Sequence, residues 1–465
     1  MIFKQVAEIV GESNCLTEAL QSYAVDGIAP KLVVFPENVE QVSALMKLAD
    51  QERLAVIPRG SGTKMSLGNI PKQVDMVLVL KKLNKILEYE PDDLTATVEA
   101  GILLTDLQGR LKEKNQFFPL DPPFSSEATL GGIVATNSNG PGRFFHGSVR
   151  DLVVGIRVVH PGGVITRAGG KVVKNVSGYD MNKLYTGSLG TLGIITELSL
   201  KLRPLPEVSK TLLLRFSSLS EAARLVLQIS TSELLPTALE ILDSRAWERV
   251  NRTDPSINPG QVGSLSSETG LGVTASGVTF AAKLEGLSEN VERQIIQIRE
   301  WGQKKGARGA EVLDGDLHDK FWNKIQNHPQ TFSAGTSNTI CCKASLPASK
   351  VEDFFQTVKK IGNSQNLDPV MFSHAGSGIV YIYFGLEAVP TGVDRISTFS
   401  YIIKEIRNLS IQFEGSLVVE AAPTDLKKKV DVWGPVGDSW KIMKLLKEQF
   451  DSHGILNPGR FIEGI

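Results

Sequence analysis

The chain has 465 residues, of which 42% are hydrophobic and 22% charged, and its formal net charge is −1. This balance excludes the strongly basic surface of a nucleic-acid-binding protein. The three cysteines, Cys15, Cys341 and Cys342, are too few for an iron–sulfur cluster or for a disulfide-built secreted fold. With no signal peptide and no apolar run long enough to span a bilayer, we expect a cytoplasmic protein of two or three domains.

The first predicted elements are a strand, a helix, a second strand and a glycine loop. Residues 31–35 (KLVVF) and 53–58 (RLAVIP) are typical of short buried strands, and apolar side chains recur at helical spacing between them. The second strand continues into PRGSGTKMSLGN (58–69), where consecutive backbone N–H groups can form an anion nest. The spacing matches neither a Walker A loop nor a Rossmann fingerprint. These residues alone leave open both a ligand loop and a plain turn.

Two strand-like runs, at 85–90 and 95–101, and a helix at 103–115 lead to the stretch around which the chain is organised. Residues 131–193 contain 14 glycines, which alternate with apolar strand-like runs, and a hairpin is predicted to turn at Pro161-Gly162-Gly163. Glycine lets the backbone approach a ligand closely and adopt positive φ. The pattern predicts a folded sheet that holds a large flat or phosphate-bearing ligand.

From residue 211 onward, strand–helix–strand units recur. They predict a second, α+β domain with an antiparallel sheet and helices on one face. A long stretch rich in Gly, Ser, Thr and Pro, at 254–277, interrupts these units and is expected to be a mobile loop.

Four segments resemble the FAD-linked oxidases of the vanillyl-alcohol oxidase/p-cresol methylhydroxylase (PCMH) type. They are PRGSGTK (58–64), LDPPFSSEATLGGIVATNSNGPG (120–142), GSLGTLGIITELSLKLRPLP (187–206) and FDSHGILNPGRF (450–461). Within this family, GGKVVKNVSGYDMNKLYTGSLGTLG (169–193) looks most like the FAD-binding subunits of bacterial glycolate oxidase (glycolate dehydrogenase).

The resemblance implies an α+β fold. Residues 1–207 would form a PCMH-type FAD-binding domain of two α/β subdomains, and residues 208–414 a ferredoxin-like α+β cap with an antiparallel sheet and a flexible loop near 252–277. Residues 415–465 would return to the FAD domain.

The cofactor that the resemblance implies is FAD. Its expected binding residues are Arg59, Gly60, Ser61, Gly62, Thr63, Lys64, Thr129, Gly131, Gly132, Ala135, Thr136, Asn137, Gly140, Gly142, His146, Gly190 and Ile195. Many relatives attach FAD covalently through a histidine of the first loop. That loop carries Lys64 and no His or Cys here, so we expect non-covalent FAD.

Relatives that oxidise 2-hydroxy acids carry a His-x-Gly-Asp-Gly-Asn-x-His segment and a Glu-His pair, which hold a divalent metal and supply the base. HAGSGIVY (374–381) keeps His374, but Tyr381 replaces the second histidine. GSLVVEAAP (415–423) keeps Glu420, but Ala421 replaces the base. One imidazole and one carboxylate make a poor divalent site, so we expect no metal. His374 is then either a functional or a structural histidine.

Other candidate catalytic residues lie in or beside the glycine-rich stretch. His146 is a candidate for a hydrogen bond to flavin or backbone. Lys174 and Tyr179 belong to a polar cluster near the flavin end implied by the resemblance, although a solvated loop explains that cluster equally well. His160, just before the hairpin turn, is expected to be solvated.

The function implied is that of an FAD-binding subunit of a 2-hydroxy-acid dehydrogenase complex of the glycolate or D-lactate type. The expected partners are a catalytic flavin subunit and an iron–sulfur subunit, through which the chain would sit peripherally on the inner face of the membrane. Two alternatives stay open. One is a self-sufficient FAD-dependent dehydrogenase with a different base, and the other is a structural subunit that has lost its flavin.

Overall fold

The structure is a computed structural model that describes residues 2–170, 179–251, 277–333, 338–389 and 392–465. Within these ranges no helix is long and apolar enough to cross a membrane. Lys174 and all but the last residue of the loop expected at 252–277 lie outside the described residues.

The described α-helices are α1 (Ile2–Val10), α2 (Val39–Gln51), α3 (Leu104–Lys112), α4 (Leu130–Thr136), α5 (Arg143–His146), α6 (Val149–Leu152), α7 (Asn182–Tyr185), α8 (Leu219–Ser230), α9 (Ser244–Asn251), α10 (Ser288–Lys304), α11 (Gly315–Gln326), α12 (His328–Phe332), α13 (Val351–Ser364), α14 (Arg395–Gln412), α15 (Thr424–Lys427) and α16 (Trp440–Phe450).

The described strands are β1 (Cys15–Leu16), β2 (Leu32–Val34), β3 (Val56–Arg59), β4 (Met76–Val79), β5 (Ile86–Glu90), β6 (Thr95–Glu99), β7 (Gln116–Phe117), β8 (Val153–Val159), β9 (Ile165–Gly169), β10 (Ile194–Lys201), β11 (Arg203–Pro204), β12 (Val208–Phe216), β13 (Ala238–Leu242), β14 (Val278–Gly286), β15 (Gly309–Leu313), β16 (Thr339–Ser345), β17 (Val370–His374), β18 (Ile379–Gly385) and β19 (Ser416–Ala421).

The chain forms two units. The first comprises Met1–Gly140, Gly147–Leu205 and Asp431–Ile465, and the second comprises Pro141–His146 and Pro206–Val430. These limits differ from the expected ones at the C-terminal end because β19 pairs with β16 in the sheet of the second unit. The return to the first unit therefore begins at 431 rather than at 415.

The first unit begins with a four-stranded sheet in the order β1-β2-β4-β3, in which β2, β4 and β3 run parallel. The predicted strand–helix–strand start is confirmed, with α2 crossing from β2 to β3. Asn38 caps α2 by accepting a hydrogen bond from the backbone N–H of Gln41, and the helix buries Val42 and Leu45 against this sheet. The predicted glycine loop leaves the carboxyl end of β3, which is where open α/β sheets bind ligands.

A second sheet of the first unit has the order β5-β6-β10-β8-β9 and is antiparallel throughout. The predicted hairpin is confirmed as β8 and β9. In β10 the side chains of Leu198 and Leu200 are buried while Glu197 and Lys201 are half-buried, as expected for a strand with one covered face. The C-terminal segment completes the unit, because Ile455 and Leu456 enter the core around the four-stranded sheet.

The second unit contains one antiparallel sheet in the order β15-β12-β14-β13-β17-β18-β16-β19. It consists of two consecutive ferredoxin-like βαββαβ repeats, joined through β13 and β17. Helices α8, α10, α13 and α14 bury their apolar side chains in one core cluster. The expectation of helices on one face only is wrong. Trp247 of α9 and Phe321 of α11 pack in a second cluster with Leu242 and Ala281 of the sheet.

Candidate active site

A cleft of about 850 Å³, part of it open to solvent, lies in the first unit. The predicted cofactor residues that line it are Arg59, Gly60, Ser61, Gly62, Thr63, Lys64, Thr129, Gly131, Gly132, Ala135, Thr136, Gly190 and Ile195. The structure therefore brings together three segments that are far apart in the sequence.

Four predicted cofactor residues are not among the lining residues. Asn137 ends α4 in a left-handed conformation, and Gly140 lies against the backbone of Asp121. Gly142 and His146 belong to the short segment of the second unit.

Two walls of the cleft meet where Gly60 passes Thr129. Thr129 caps α4, with its hydroxyl accepting from the N–H of Gly132 at 3.4 Å. A Cβ on Gly60 would lie 1.9 Å from Thr129 Oγ1. Only a residue without a side chain lets the loop approach the helix this closely.

The third wall is the loop that enters β10. Gly190 has φ +69, and a Cβ there would lie 2.7 Å from Pro58 Cγ. The side-chain amide of Asn457 donates to the carbonyl of Leu189 in the same loop. Pro58, Leu189, Gly190 and Asn457 all line the cleft.

The C-terminal turn supplies two lining residues, Asn457 and Arg460, that were not predicted to contact the cofactor. The Arg460 guanidinium donates to the carbonyl of Met65 at 2.6 Å and to that of Leu67. Burial lowers the pKa of Arg460 to about 10, so the group stays charged at neutral pH. Both residues belong to the motif NPGR (457–460), which could have identified them. The sequence analysis used that motif only to recognise the family and not to predict cofactor contacts.

Three polar atoms of the lining residues have no partner. Ser61 Oγ, Asn457 Oδ1 and Arg460 Nε are buried, and no residue in the described ranges hydrogen-bonds to them. Each unpaired buried polar atom costs about 1–3 kcal/mol. Unpaired donors and acceptors of this kind are expected beside a cleft that binds a polar ligand.

Comparison with known families identifies that ligand. Residues 30–169 match the FAD binding domain, and residues 205–461 match the C-terminal domain of FAD linked oxidases. The chain belongs to the FAD-linked oxidases. It is therefore an FAD-dependent oxidoreductase, and its cofactor is FAD. The glycine-walled cleft and its unpaired donors and acceptors fit a dinucleotide.

Several curated relatives of this FAD-linked oxidase are similar over nearly the whole chain. The glycolate oxidase subunit GlcD of Bacillus subtilis (strain 168) is 30% identical over 93% of this chain and 88% of the relative. The D-lactate dehydrogenase of Anaerostipes hadrus is 30% identical, with coverage of 98% and 96%. The D-2-hydroxyglutarate dehydrogenase of Xanthomonas citri pv. viticola is 27% identical, with coverage of 93% and 89%.

Solved structures share the fold. p-Cresol methylhydroxylase with substrate bound superposes with a TM-score of 0.76 at 19% identity, over 98% of this chain and 95% of that one. Alkyldihydroxyacetonephosphate synthase gives 0.69 at 20% identity, with coverage of 93% and 76%. The PCMH-type α+β fold expected from the sequence is thereby confirmed.

In the second unit, His374 pairs with a carboxylate that the sequence analysis did not single out. Its Nδ1 lies 2.8 and 2.9 Å from the two carboxylate oxygens of Glu240. Both side chains are buried, and Nε2 of His374 has no hydrogen-bond partner among the described residues. Burial, and then the positive charges of Lys343 and Arg143, lower the pKa of His374 to about 3.

The other retained residue, Glu420, pairs with a cation. Its carboxylate lies 3.6 Å from Nζ of Lys343. Lys343 stands directly opposite Tyr381, the residue that replaces the second histidine. Over the described part of the chain, no three His, Cys, Asp or Glu side chains are grouped as metal ligands. His374 thus pairs with Glu240, and Glu420 pairs with Lys343.

The remaining candidates are dispersed. His146 ends α5 of the second unit, with its ring centroid 5.0 Å from that of Phe145. Tyr179 is 93% exposed. The expectation that His160 is solvated is wrong. It is buried, lies 2.7 Å from the hydroxyl of Thr166, and stacks on Phe450.

Proposed function

We propose that this FAD-linked oxidase oxidises a small 2-hydroxy acid, of the glycolate or D-lactate type, to the 2-oxo acid and passes the electrons to a partner. The observation that carries the proposal is that the three relatives described above, which are similar over nearly the whole chain, are named for the oxidation of 2-hydroxy acids.

In this proposal the residues of the chain have the following roles. The loop at 59–64, the start of α4 and the turn at 457–460 bind the dinucleotide through backbone groups, hydroxyls and Arg460. FAD, when bound, supplies the hydride acceptor. We infer that its attachment is non-covalent.

We infer that the electrons leave through an iron–sulfur partner and that the complex also contains a catalytic flavin subunit. The three cysteines of the chain are too few to build a cluster. The relative from Bacillus subtilis is itself called a subunit. In this proposal the chain is cytoplasmic and reaches the membrane surface through its partner.

A second candidate is a self-sufficient FAD-dependent dehydrogenase. The pairing of His374 with Glu240 favours it, because the buried carboxylate of Glu240 fixes the orientation of the imidazole. No group of three metal-ligand side chains is found among the described residues.

The test is turnover with a dye acceptor. Glycolate, D-lactate and D-2-hydroxyglutarate are offered to the purified, FAD-loaded chain and to the chain co-purified with its genomic neighbours, with L-lactate as the stereochemical control. We expect 2-oxo acid formation by the complex, whereas turnover by the chain alone would favour the second candidate. Absence of turnover in both preparations with every hydroxy acid would refute the proposed function.

A further inference from the structure

We propose that Lys447, paired with Asp451, is a positioning residue for FAD, because its ammonium holds together two separate segments that line the cleft. Lys447 itself is not among the described residues that line the cleft. All the residues involved belong to the first unit. The proposal goes beyond the proposed function, since it concerns cofactor binding and holds whichever substrate the flavin oxidises.

Helix α16 buries a lysine where an apolar residue would be expected. Of its residues, all of which the structure describes, only Lys447 is buried, whereas Ile442 and Leu445 are 63% and 64% exposed. Burial lowers the pKa of Lys447, and the charge of Asp451 opposes that shift. Replacing a buried ion pair by apolar residues of similar volume is often neutral or stabilising. The pair is therefore better explained by what it holds in place than by the stability that it adds.

The Lys447 ammonium has three partners. It donates to the backbone carbonyls of Thr191 and Leu456, each at 2.9 Å, and to the carboxylate of Asp451 at 2.6 Å. An ammonium has three hydrogens to donate. These contacts therefore use its full donor capacity and fix its position.

Both carbonyls belong to segments that line the FAD cleft. Thr191 lies between Gly190 and Gly193, which line the cleft where the chain enters β10. Leu456 directly precedes Asn457, which lines the cleft in the C-terminal turn. A shift of the ammonium would therefore displace both segments.

Asp451 extends this arrangement to the strand that leads into the glycine loop. Its carboxylate accepts from the backbone N–H groups of Ile455 at 3.0 Å and Leu456 at 2.8 Å. The carbonyl of Ile455 accepts in turn from the N–H of Val56 in β3, at 2.7 Å. Strand β3 continues into the lining loop at 59–64. The Lys447–Asp451 pair is thus connected to three segments of the cleft.

A second link joins two of these segments. The side-chain amide of Asn457 donates to the carbonyl of Leu189. Loss of the Lys447 ammonium should therefore loosen the cofactor site and not abolish it.

The experiment compares three variants of the full chain with the wild type. Lys447→Met removes the ammonium and leaves the Asp451 carboxylate without its cation. The double variant Lys447→Met/Asp451→Asn removes both charges, so it should recover part of the lost unfolding free energy. Leu45→Ala is the stability control, because Leu45 is fully buried in α2 of the first unit and is not among the lining residues. FAD affinity is measured by titration of the apoprotein and stability by urea unfolding.

Residues that orient the ligands of a metal site change affinity or activity by about 10- to 100-fold when they are replaced. We expect a rise of this size in the dissociation constant of FAD for both Lys447 variants. Leu45→Ala should unfold at a lower urea concentration but bind FAD as the wild type does. If Lys447→Met does not fold, the double variant carries the same test without an unpaired buried charge.

Three results would overturn the proposal. The first is wild-type FAD affinity in the double variant, which would make the pair merely structural. The second is an equal loss of FAD affinity in Leu45→Ala, which would show that affinity follows stability. The third is failure of both Lys447 variants to fold while Leu45→Ala folds.

Discussion

Replacing Gly190 by alanine tests whether the cleft of the first unit depends on the close approach of its walls. Gly190 has φ +69, and an added Cβ would lie 2.7 Å from Pro58 Cγ. Gly454 is the matched control, because it has φ +65 but nothing within 4 Å of its added Cβ. Both alanines pay the same backbone strain, of about 1–2 kcal/mol. Only Gly190→Ala also forces two cleft walls apart.

The magnitude of the second effect follows from the contact. Ordinary carbon–carbon contacts begin near 3.5 Å, so the 2.7 Å separation has to open by about 0.8 Å. Overpacking of this kind costs about 1–3 kcal/mol. A loss of about 1.4 kcal/mol from cofactor binding corresponds to a tenfold higher dissociation constant.

The assay is titration of the apoprotein with FAD, followed by quenching of flavin fluorescence, together with urea unfolding. We expect Gly454→Ala to lose about 1–2 kcal/mol of unfolding free energy, and Gly190→Ala to lose about 1–3 kcal/mol more because of the overpacking. The dissociation constant of FAD should rise about tenfold in Gly190→Ala only. Equal FAD affinity in Gly190→Ala and Gly454→Ala would refute the assignment of this wall to the cofactor site.

Three further predictions concern single side chains, and a fourth concerns the attachment of the flavin. Arg460→Met should weaken FAD binding about tenfold to a hundredfold, measured by the same titration, because charge-assisted hydrogen bonds to Met65 and Leu67 are lost; unchanged affinity would contradict its role. Acid precipitation should release all flavin into the supernatant, and flavin left on the protein would contradict non-covalent attachment. Lys447→Met should lower the unfolding free energy, measured with urea, by about 3–5 kcal/mol, because the buried ammonium donates hydrogen bonds to Asp451 and to two backbone carbonyls. A loss below about 1 kcal/mol would contradict this. Burial lowers the pKa of His160 in the folded chain, so the unfolding free energy should fall as the pH drops below 6.5. The unfolding free energy of His160→Asn should depend less on pH in this range, and equal slopes in the wild type and the variant would contradict this.

Local features of the fold were predictable because neighbouring residues determine them. Helix α2 and the hairpin of β8 and β9 follow from apolar periodicity and turn residues within single short stretches. The glycine loop at 59–64 was recognisable because its residues are consecutive in the sequence. The three cleft segments could be assigned to one ligand only through the resemblance to a family, since their proximity depends on the sheet order.

Long-range partners could not be predicted. Glu240 has no motif of its own, and only the pairing of β13 with β17 brings it to His374. His160 precedes a turn that is typical of the surface, but the C-terminal helix places Phe450 against its ring. Helix periodicity indicates that α9 and α11 have an apolar side, but not which face of the sheet that side covers.

Anaerobic addition of glycolate or D-lactate to the FAD-loaded chain, alone and in its complex, tests the central claim most directly. We expect the visible flavin absorbance of the complex to bleach as the 2-oxo acid forms. A protein that takes up no FAD, or one that stays yellow with every 2-hydroxy acid both alone and in its complex, would contradict it.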